Sequence, residues 1–323
     1  MVDPFSMQHL FIVNPHSFRS AEDMDTAVAN IRQYFTSISC KGYFVHISRY
    51  PRDAIGVVRH FAEDLDKEMK LRIYPVGGDG TIFDCLNAAM GLKNVEIAPV
   101  PYGHINDFAL SFGESAPESM RDIEAQATGE PLLVDVIKCN NYYAFEFCSF
   151  GMESVACDIM FKGRQMSDYI RNAFPWYNNY LSYIAGIGAW VGKNHEEMTQ
   201  CYNLLIDDDE LLIGNFPSIN ISNTRFYGDG KIITPHAVSN DGYLDMVYLK
   251  HYIGIGVVLS KIGTYFRGKY AEMPDLYDSR RFRKVFVTSD KPMHMALDGE
   301  VFFAEKAHVE VIPNGMNVVA SRN

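Results

Sequence analysis

The sequence predicts an α/β half followed by a mainly β half, with the change near residue 130. Three observations lead there. Short apolar runs alternate with helix-length amphipathic segments through the first 130 residues, whereas pairs of strands with Asn- and Asp-rich turns dominate after Gly129-Glu130-Pro131. Between a buried run and a helix lies Gly77-Gly78-Asp79-Gly80-Thr81, a glycine-rich turn that contains a carboxylate. At 323 residues, the chain suits two domains better than one.

The elements follow in order. Residues 9–13 read as a strand ending at Asn14-Pro15, 20–39 as a helix, 43–48 as a second strand and 52–69 as a second helix. Residues 71–76 are a buried strand that runs into the glycine turn. Beyond it, the spacing of Ile82, Leu86 and Ala89 predicts a helix over 81–91. A fourth strand over 95–100 ends at Pro101-Tyr102-Gly103, and a helix is expected from about 117 to 128. This rhythm is that of a parallel sheet with crossover helices, whose ligands bind at the carboxyl edge of the strands. In the second half, 132–138 and 143–150 flank the turn Asn140-Asn141, and 199–207 and 211–216 flank Asp208-Asp209-Glu210. Further strands are expected at 243–249, 284–288, 293–297 and 308–312, with helical stretches at 167–191 and 253–270. The first domain is placed at 1–130 and the second at 131–309, with the tail 310–323 free to pack back on the first.

Composition narrows the function. With 40 acidic against 29 basic residues, the formal net charge is -11, which disfavours general nucleic-acid binding and simple adsorption to anionic lipid. The one basic run, Ser279-Arg280-Arg281-Phe282-Arg283-Lys284, can touch lipid headgroups or form a solvated strand entrance. Six cysteines are scattered without metal-ligand spacing, as in a cytoplasmic protein with reduced thiols. No signal peptide is visible and no apolar stretch is long enough to span a membrane. Residues 1–6 can be a cloning remnant ahead of a native Met7.

The glycine turn carries the chemistry. A strand, a glycine turn and a helix N-terminus together present backbone N–H groups to an anion, and the missing Cβ atoms permit close approach. A bare carboxylate beside a polyphosphate repels it unless a divalent cation lies between them, so Asp79 points to a Mg-nucleotide site. The alternative is a tight turn with Asp79 as a helix N-cap. There is neither a phosphate lysine in a GK[ST] string nor a G-x-G-x-x-G fingerprint at this turn.

Asn14-Pro15-His16-Ser17, the GGDGT run, Asn106-Asp107-Phe108, Val134-Asp135, Ser149-Phe150-Gly151, Tyr227-Gly228-Asp229-Gly230, Asp241-Gly242-Tyr243-Leu244-Asp245 and Asp298-Gly299-Glu300 follow one another along the chain. Together these strings carry a resemblance to the diacylglycerol kinase catalytic-domain superfamily, in its bacterial lipid kinase branch related to sphingosine kinases. It implies an N-terminal three-layer α/β nucleotide-binding domain and a C-terminal β-sandwich domain for the lipid. The activity it implies is an ATP- and Mg-dependent lipid kinase that phosphorylates a hydroxyl of diacylglycerol or a similar lipid. Nucleotide contacts are then expected from Asn14, Pro15, His16, Ser17, Phe18, Ser48, Gly78, Asp79, Gly80, Thr81, Ile82, Phe83, Asp84 and His104. The resemblance further implies that Asp79, Asp107 and Asp135 hold the catalytic Mg through waters and that Glu300 is the general base. A structural Mg is expected at Asp241 and the backbone carbonyls of Val238 and Tyr243. The expected partner is a lipid met at a membrane surface, with Phe174-Pro175-Trp176-Tyr177 as a candidate contact; a homodimer is left open.

Each residue also has a plain structural reading. Asp107 can cap a helix, Asp135 can be an edge-strand charge, and Asp298-Gly299 is a good hairpin turn by itself. The chain also departs from the family pattern. Phe18 stands where the first loop usually ends in Gly, His104 where a Thr is common, Arg52-Asp53-Ala54 for Gly-Asp-Ala, Asp84 for Glu, and Glu146 for an Asn. The rivals are an NAD kinase, which shares GGDGT, and a catalytically weak lipid- or nucleotide-binding protein of the same fold.

Overall fold

The computed structural model describes residues 1–66, 68–158 and 200–320. The expected helix at 167–191 and the segment Phe174-Pro175-Trp176-Tyr177 lie outside the described residues. The chain forms two compact units: Met1–Val136 with Pro313–Asn323, and Ile137–Ile312.

In the first unit, β1 (Met7–Val13), β2 (Tyr43–Ile47), β3 (Lys70–Gly77), β4 (Val95–Ile97) and β5 (Val100–Pro101) pair in parallel, in the order β2-β1-β3-β4 with β5 alongside the end of β3. Helices α1 (Ala21–Ser37), α2 (Asp53–Glu63) and α3 (Asp79–Ala89) connect them. Short helices α4 (Asp107–Leu110), α5 (Ala116–Ser119) and α6 (Ile123–Thr128) lead to β6 (Pro131–Cys139), in which the chain passes to the second unit. It returns in β17 (Glu300–Val319), whose Asn317 and Val318 pair in parallel with Glu96 and Ile97 of β4. Buried along nearly their whole length, β1 and β3 have the continuous apolar character of strands covered on both faces. Phe11, Tyr74 and Val76 pack with Ile31 and Phe35 of α1 and Ala127 of α6.

Three expected elements differ, two of them for a local reason. The strand read over 95–100 is interrupted at Pro99, which has no N–H for the ladder, and the Pro99 carbonyl accepts a bond from Gln126 Nε2 instead. The helix read over 117–128 is two, because the Asp122 side chain caps a new start by accepting the Ala125 N–H at 3.1 Å. The helix read over 52–69 stops at Glu63.

The second unit is antiparallel. Its strands are β7 (Tyr142–Ala144), β8 (Phe147–Gly151), β9 (Cys201–Ile206), β10 (Glu210–Asn215), β11 (Ser218–Ser222), β12 (Phe226–Tyr227), β13 (Lys231–Ile232), β14 (Leu244–Leu249), β15 (Tyr277–Phe282) and β16 (Lys284–Leu297). The order β15-β14-β11-β8-β16-β17 forms the main path, with β9 on the other half of β16 and β10 outside β9. Helix α7 (Ile255–Tyr265) covers a core that includes Phe147, Val247, Leu249, Tyr265 and Ala296. The strand read over 143–150 breaks at Phe145 and Glu146, and the two strands read at 284–288 and 293–297 are one strand with an irregularity after Thr288. Three of the four cations in the basic run are paired with acids from outside it. Arg280 binds Glu210 and Asp278, Arg281 binds Asp241, and Lys284 binds Asp208. Among the described residues no helix is long and apolar enough to cross a membrane, and none of the six cysteines is in a disulfide.

Arg72 of β3 is fully buried, and its guanidinium is saturated. It donates to Glu96 Oε1 at 2.7 Å and to the carbonyls of Gln126, Ala127 and Gly129 at 2.6, 2.8 and 2.9 Å. A cation at the C-terminal carbonyls of α6 also complements the helix dipole. Arg72→Met leaves Glu96 buried without its counter-charge; urea unfolding is expected to show a loss of about 3–5 kcal/mol, partly recovered when Glu96 is also made apolar.

His9 adds a pH dependence. Its Nε2 lies 2.8 Å from the Pro4 carbonyl, so Nε2 carries the proton and Nδ1 accepts from the Tyr74 hydroxyl at 2.7 Å. Burial lowers its pKa from 6.5 to about 4. The unfolded chain therefore takes up this proton first as pH falls, so stability is complete above 6.5 and is lost between 6.5 and about 4. Denaturant titrations across that window are expected to show a decline of about 2–4 kcal/mol that is absent in His9→Gln.

Candidate active site

The carboxyl ends of β1, β2, β3 and β5 carry the residues singled out from the sequence. At the end of β3, the two leading glycines of GGDGT are required by the protein's own packing. A Cβ on Gly77 would meet Thr81 Oγ1 at 2.3 Å and Ser17 Oγ at 3.0 Å. A Cβ on Gly78 would meet Gly103 Cα at 3.1 Å, and one on Gly103 would lie 2.3 Å from Gly78 Cα. Gly78 has φ -98°, ordinary for any residue, so the demand is for space. Two backbone turns, one after β3 and one after β5, therefore touch without intervening side chains.

That contact brings two carboxylates together. Helix α3 starts at Asp79 itself, with Gly78 as the N-cap, so Asp79 is a first-turn residue and does not cap the helix. Asp79 Oδ2 accepts the Asp107 backbone N–H at 3.0 Å, and a carboxylate oxygen of Asp107 lies within 4.8 Å of one of Asp79. Asn106 shapes the second turn by accepting from Gly103 N at 3.1 Å and donating to Gly103 O at 2.8 Å, while His104 stands exposed between them. Gly80 is exposed, Thr81, Ile82 and Phe83 are buried, and Asp84 is partly covered. The buried side chains of Ile82 and Phe83 are thus withheld from a ligand, and the Ile82 N–H already donates to the Gly78 carbonyl at 3.2 Å.

The neighbouring loops are tied to the same turn. Asn14 Nδ2 donates to Thr81 Oγ1 at 3.1 Å while Asn14 Oδ1 accepts the His16 N–H, which holds the Asn14–Phe18 loop beside GGDGT. Phe18 has φ -97° and ψ 153°, a backbone any residue adopts, and its ring packs on Tyr102 at 4.8 Å. Its bulk is directed into the protein, so the missing glycine imposes no backbone strain. At β2, Ser48 N–H donates to Val13 O, and the loop after it closes on Asp53, which accepts from Arg49 N, Nε and Nη2 and lies 2.8 Å from His46 Nε2. The Arg49 bonds hold the Asp53 carboxyl far below the usual carboxylate range. Arg52, by contrast, has φ 64°, a conformation that suits the family's glycine and costs an arginine about 1 kcal/mol. Its guanidinium lies 3.8 Å from Asp84 and over the Phe83 ring.

The remaining residues are set by other elements. Asp135 of β6 is buried, its Oδ1 accepting Asn314 N–H at 2.7 Å, and among the described residues it is not in the ligand-spaced group that holds Asp79 and Asp107. In the second unit, Glu300 opens β17, opposite Leu297 across the two-residue turn Asp298-Gly299, where φ is 44° and 84°. Asp298 is more than a turn residue. Its carboxylate accepts the backbone N–H groups of Phe145, Glu146 and Phe147 at 2.7, 3.0 and 2.9 Å, which fastens the Glu300 hairpin to the break between β7 and β8. Burial pushes its carboxyl up to about 6, against the pull of those three bonds. At the expected structural Mg, Asp241 Oδ1 accepts Tyr243 N–H at 3.0 Å, Oδ2 accepts from Arg281 at 2.5 Å, and Val238 is exposed.

Comparison with known families agrees with both halves. The diacylglycerol kinase catalytic domain matches residues 8–139, and the YegS C-terminal NAD kinase beta sandwich-like domain matches residues 166–320. The chain belongs to the diacylglycerol kinase catalytic-domain superfamily. Among its relatives is the Staphylococcus aureus strain MRSA252 protein named "Putative lipid kinase", 24% identical over 310 residues that cover 94% of each chain. Two Bacillus anthracis structures share the fold: one described as a putative diacylglycerol kinase, with TM-score 0.72 and 18% identity, and one as a diacylglycerol kinase, with TM-score 0.67 and 16% identity. Each covers 97% of both chains. The superfamily fold, an α/β catalytic domain with a C-terminal β-sandwich-like domain, is the one expected from the sequence, and at family level the activity is that of a lipid kinase.

Gly103, Asn106 and Asp298 position the acids without being among the expected ligands. Gly103→Ala drives a Cβ into the Gly78 backbone and is expected to cost about 2–3 kcal/mol in thermal or urea unfolding. Gly56→Ala in α2, where a Cβ meets nothing within 4 Å, is expected to be neutral or stabilising by up to about 1 kcal/mol.

Proposed function

We propose that the chain transfers the γ-phosphoryl group of ATP to a hydroxyl of diacylglycerol or a lipid of similar shape. One observation carries the reading: Asp79 and Asp107 converge at the carboxyl edge of the parallel sheet, beside the N-terminus of α3, with Asp79 Oδ2 fixed by the Asp107 N–H. An acidic pair beside a site for anionic phosphate needs an imported positive charge, and hard carboxylate oxygens suit Mg. Asp79 and Asp107 are the residues that would hold it, and Asp135, which lies outside their ligand-spaced group, would act only through water. When bound, Mg would neutralise the phosphoryl oxygens and align donor and acceptor.

The chain's own residues do the rest. The backbone N–H groups of Asp79 and Gly80 lie in the first turn of α3, where a helix offers donors to phosphate, while those of Thr81 and Ile82 already donate to the Gly78 carbonyl. Asn14 and Thr81 hold the first loop in register with this turn, and Ser48 and His104 border it at the ends of β2 and β5. The acceptor hydroxyl oxygen attacks the γ-phosphorus as the bond to the β–γ bridging oxygen breaks and ADP leaves. The hydroxyl proton passes to the Glu300 carboxylate. Asp298 holds the turn beneath Glu300, so Glu300 is presented from a fixed backbone.

The test is transfer of labelled phosphate from ATP to mixed-lipid vesicles that contain diacylglycerol, monoacylglycerol, sphingosine or no acceptor, with NAD in a parallel reaction. Incorporation into a glycerolipid is expected. Glu300→Gln is expected to lower kcat by about 10²–10⁴-fold and Asp79→Asn by about 10²–10³-fold, with melting temperatures unchanged. Incorporation into NAD alone, or ATP binding without transfer to any acceptor, refutes the assignment.

A further inference from the structure

The turn after Val238 holds acids in a place where relatives are expected to hold a cation, and the second unit supplies a different one. Asp245 of β14 stands directly opposite Arg281 of β15 in the antiparallel register. From that position Arg281 reaches back to Asp241, donating from Nη2 to Oδ2 at 2.5 Å. The other Asp241 oxygen is occupied by the Tyr243 N–H. Arg281 is thus paired with Asp241 and stands beside Asp245, whose Oδ2 is buried and accepts no hydrogen bond. Arg283 adds a second permanent positive charge: both guanidinium carbons lie over the Tyr243 ring, at 4.8 and 4.9 Å, and Arg283 Nη2 also donates to the Tyr243 hydroxyl. The strand pattern explains why one arginine is committed here. Successive residues of β15 face opposite sides, so Arg280 turns to Glu210 and Asp278 while Arg281 turns to the acids of this turn.

We propose that Arg281 replaces the structural divalent cation in this chain, so that the 238–245 turn is closed by a guanidinium and binds no Mg. Magnesium needs a near-octahedral set of oxygens with free lone pairs at about 2.1 Å. Here one Asp241 oxygen faces an N–H and the other a guanidinium, so a dication entering the turn must displace one cation while approaching another. Besides these residues, His236 is the remaining titratable group that acts on Asp245. The inference concerns the fold of the second unit and stands whether or not the proposed phosphoryl transfer is correct.

The experiment is thermal unfolding of the full chain without nucleotide, in chelator and in millimolar magnesium, for the unsubstituted protein, Asp241→Asn, Arg281→Gln and the double variant. In the unsubstituted protein, any magnesium shift is expected to persist in Asp241→Asn, because it arises elsewhere. Arg281→Gln is expected to melt about 2–4 °C lower in chelator and to regain part of that in magnesium, a recovery lost in the double variant. A magnesium-dependent rise in the unsubstituted protein that Asp241→Asn abolishes overturns the proposal. So does an Arg281→Gln protein whose melting ignores magnesium, since the turn would then have no place for a cation that Arg281 could be filling.

Discussion

The close approach of the Gly78 and Gly103 backbones is the constraint on which the first unit's site depends. With a Cβ on Gly103 only 2.3 Å from Gly78 Cα, no side chain fits between the turns that follow β3 and β5. The contact puts the Asp107 N–H within hydrogen-bond distance of Asp79, and two carboxylates come to share a small space at a helix N-terminus. Repulsion between such acids opposes their approach, so the geometry must be imposed by something rigid. Here it is imposed by backbone packing, with Asn106 clamping Gly103 from both its N–H and its carbonyl.

Elsewhere two buried charges are surrounded by backbone groups. Arg72 meets three carbonyls besides Glu96, and Asp298 meets three consecutive N–H groups. Both tie together pieces of chain that are distant in sequence, which a surface ion pair of modest strength does not do. The cost of taking these charges from water is offset by bonds that leave the partner backbone satisfied as well. In each case a charged side chain replaces the regular ladder where the chain must break: after α6 for Arg72, between β7 and β8 for Asp298.

Much of this was legible in the sequence because it is local. The strand–glycine turn–helix unit is spelled in Lys70–Gly77 and Asp79–Ala89, and the parallel order follows from alternating apolar runs and helices. The acids Asp79 and Asp107 could be named because each sits in a short string with its own turn chemistry. What stayed hidden depends on long-range contact. Gly103 looked like an ordinary turn glycine until Gly78 lay against it, and Asp298 looked like half of a hairpin turn although its side chain reaches residues about 150 positions away. The break at Pro99 was visible in principle, since proline cannot donate within a ladder; the signal was outweighed by the apolar residues on either side. The extended backbone of Phe18 and the left-handed one of Arg52 could not be distinguished by composition, so two departures from the family pattern that look alike on paper have opposite structural costs.

The parallel pairing of Asn317 and Val318 with β4 has a consequence for biosynthesis. Residues 137–312 interrupt the first unit, so an N-terminal half emerging from the ribosome carries its glycine turn early but lacks a neighbour along one side of Glu96 and Ile97. That bare strand rim is open to mispairing with other nascent chains until the closing segment arrives. Folding of the two units is therefore nested rather than sequential, and a cut anywhere before Pro313 would strip the early half of a structural member encoded almost two hundred codons downstream.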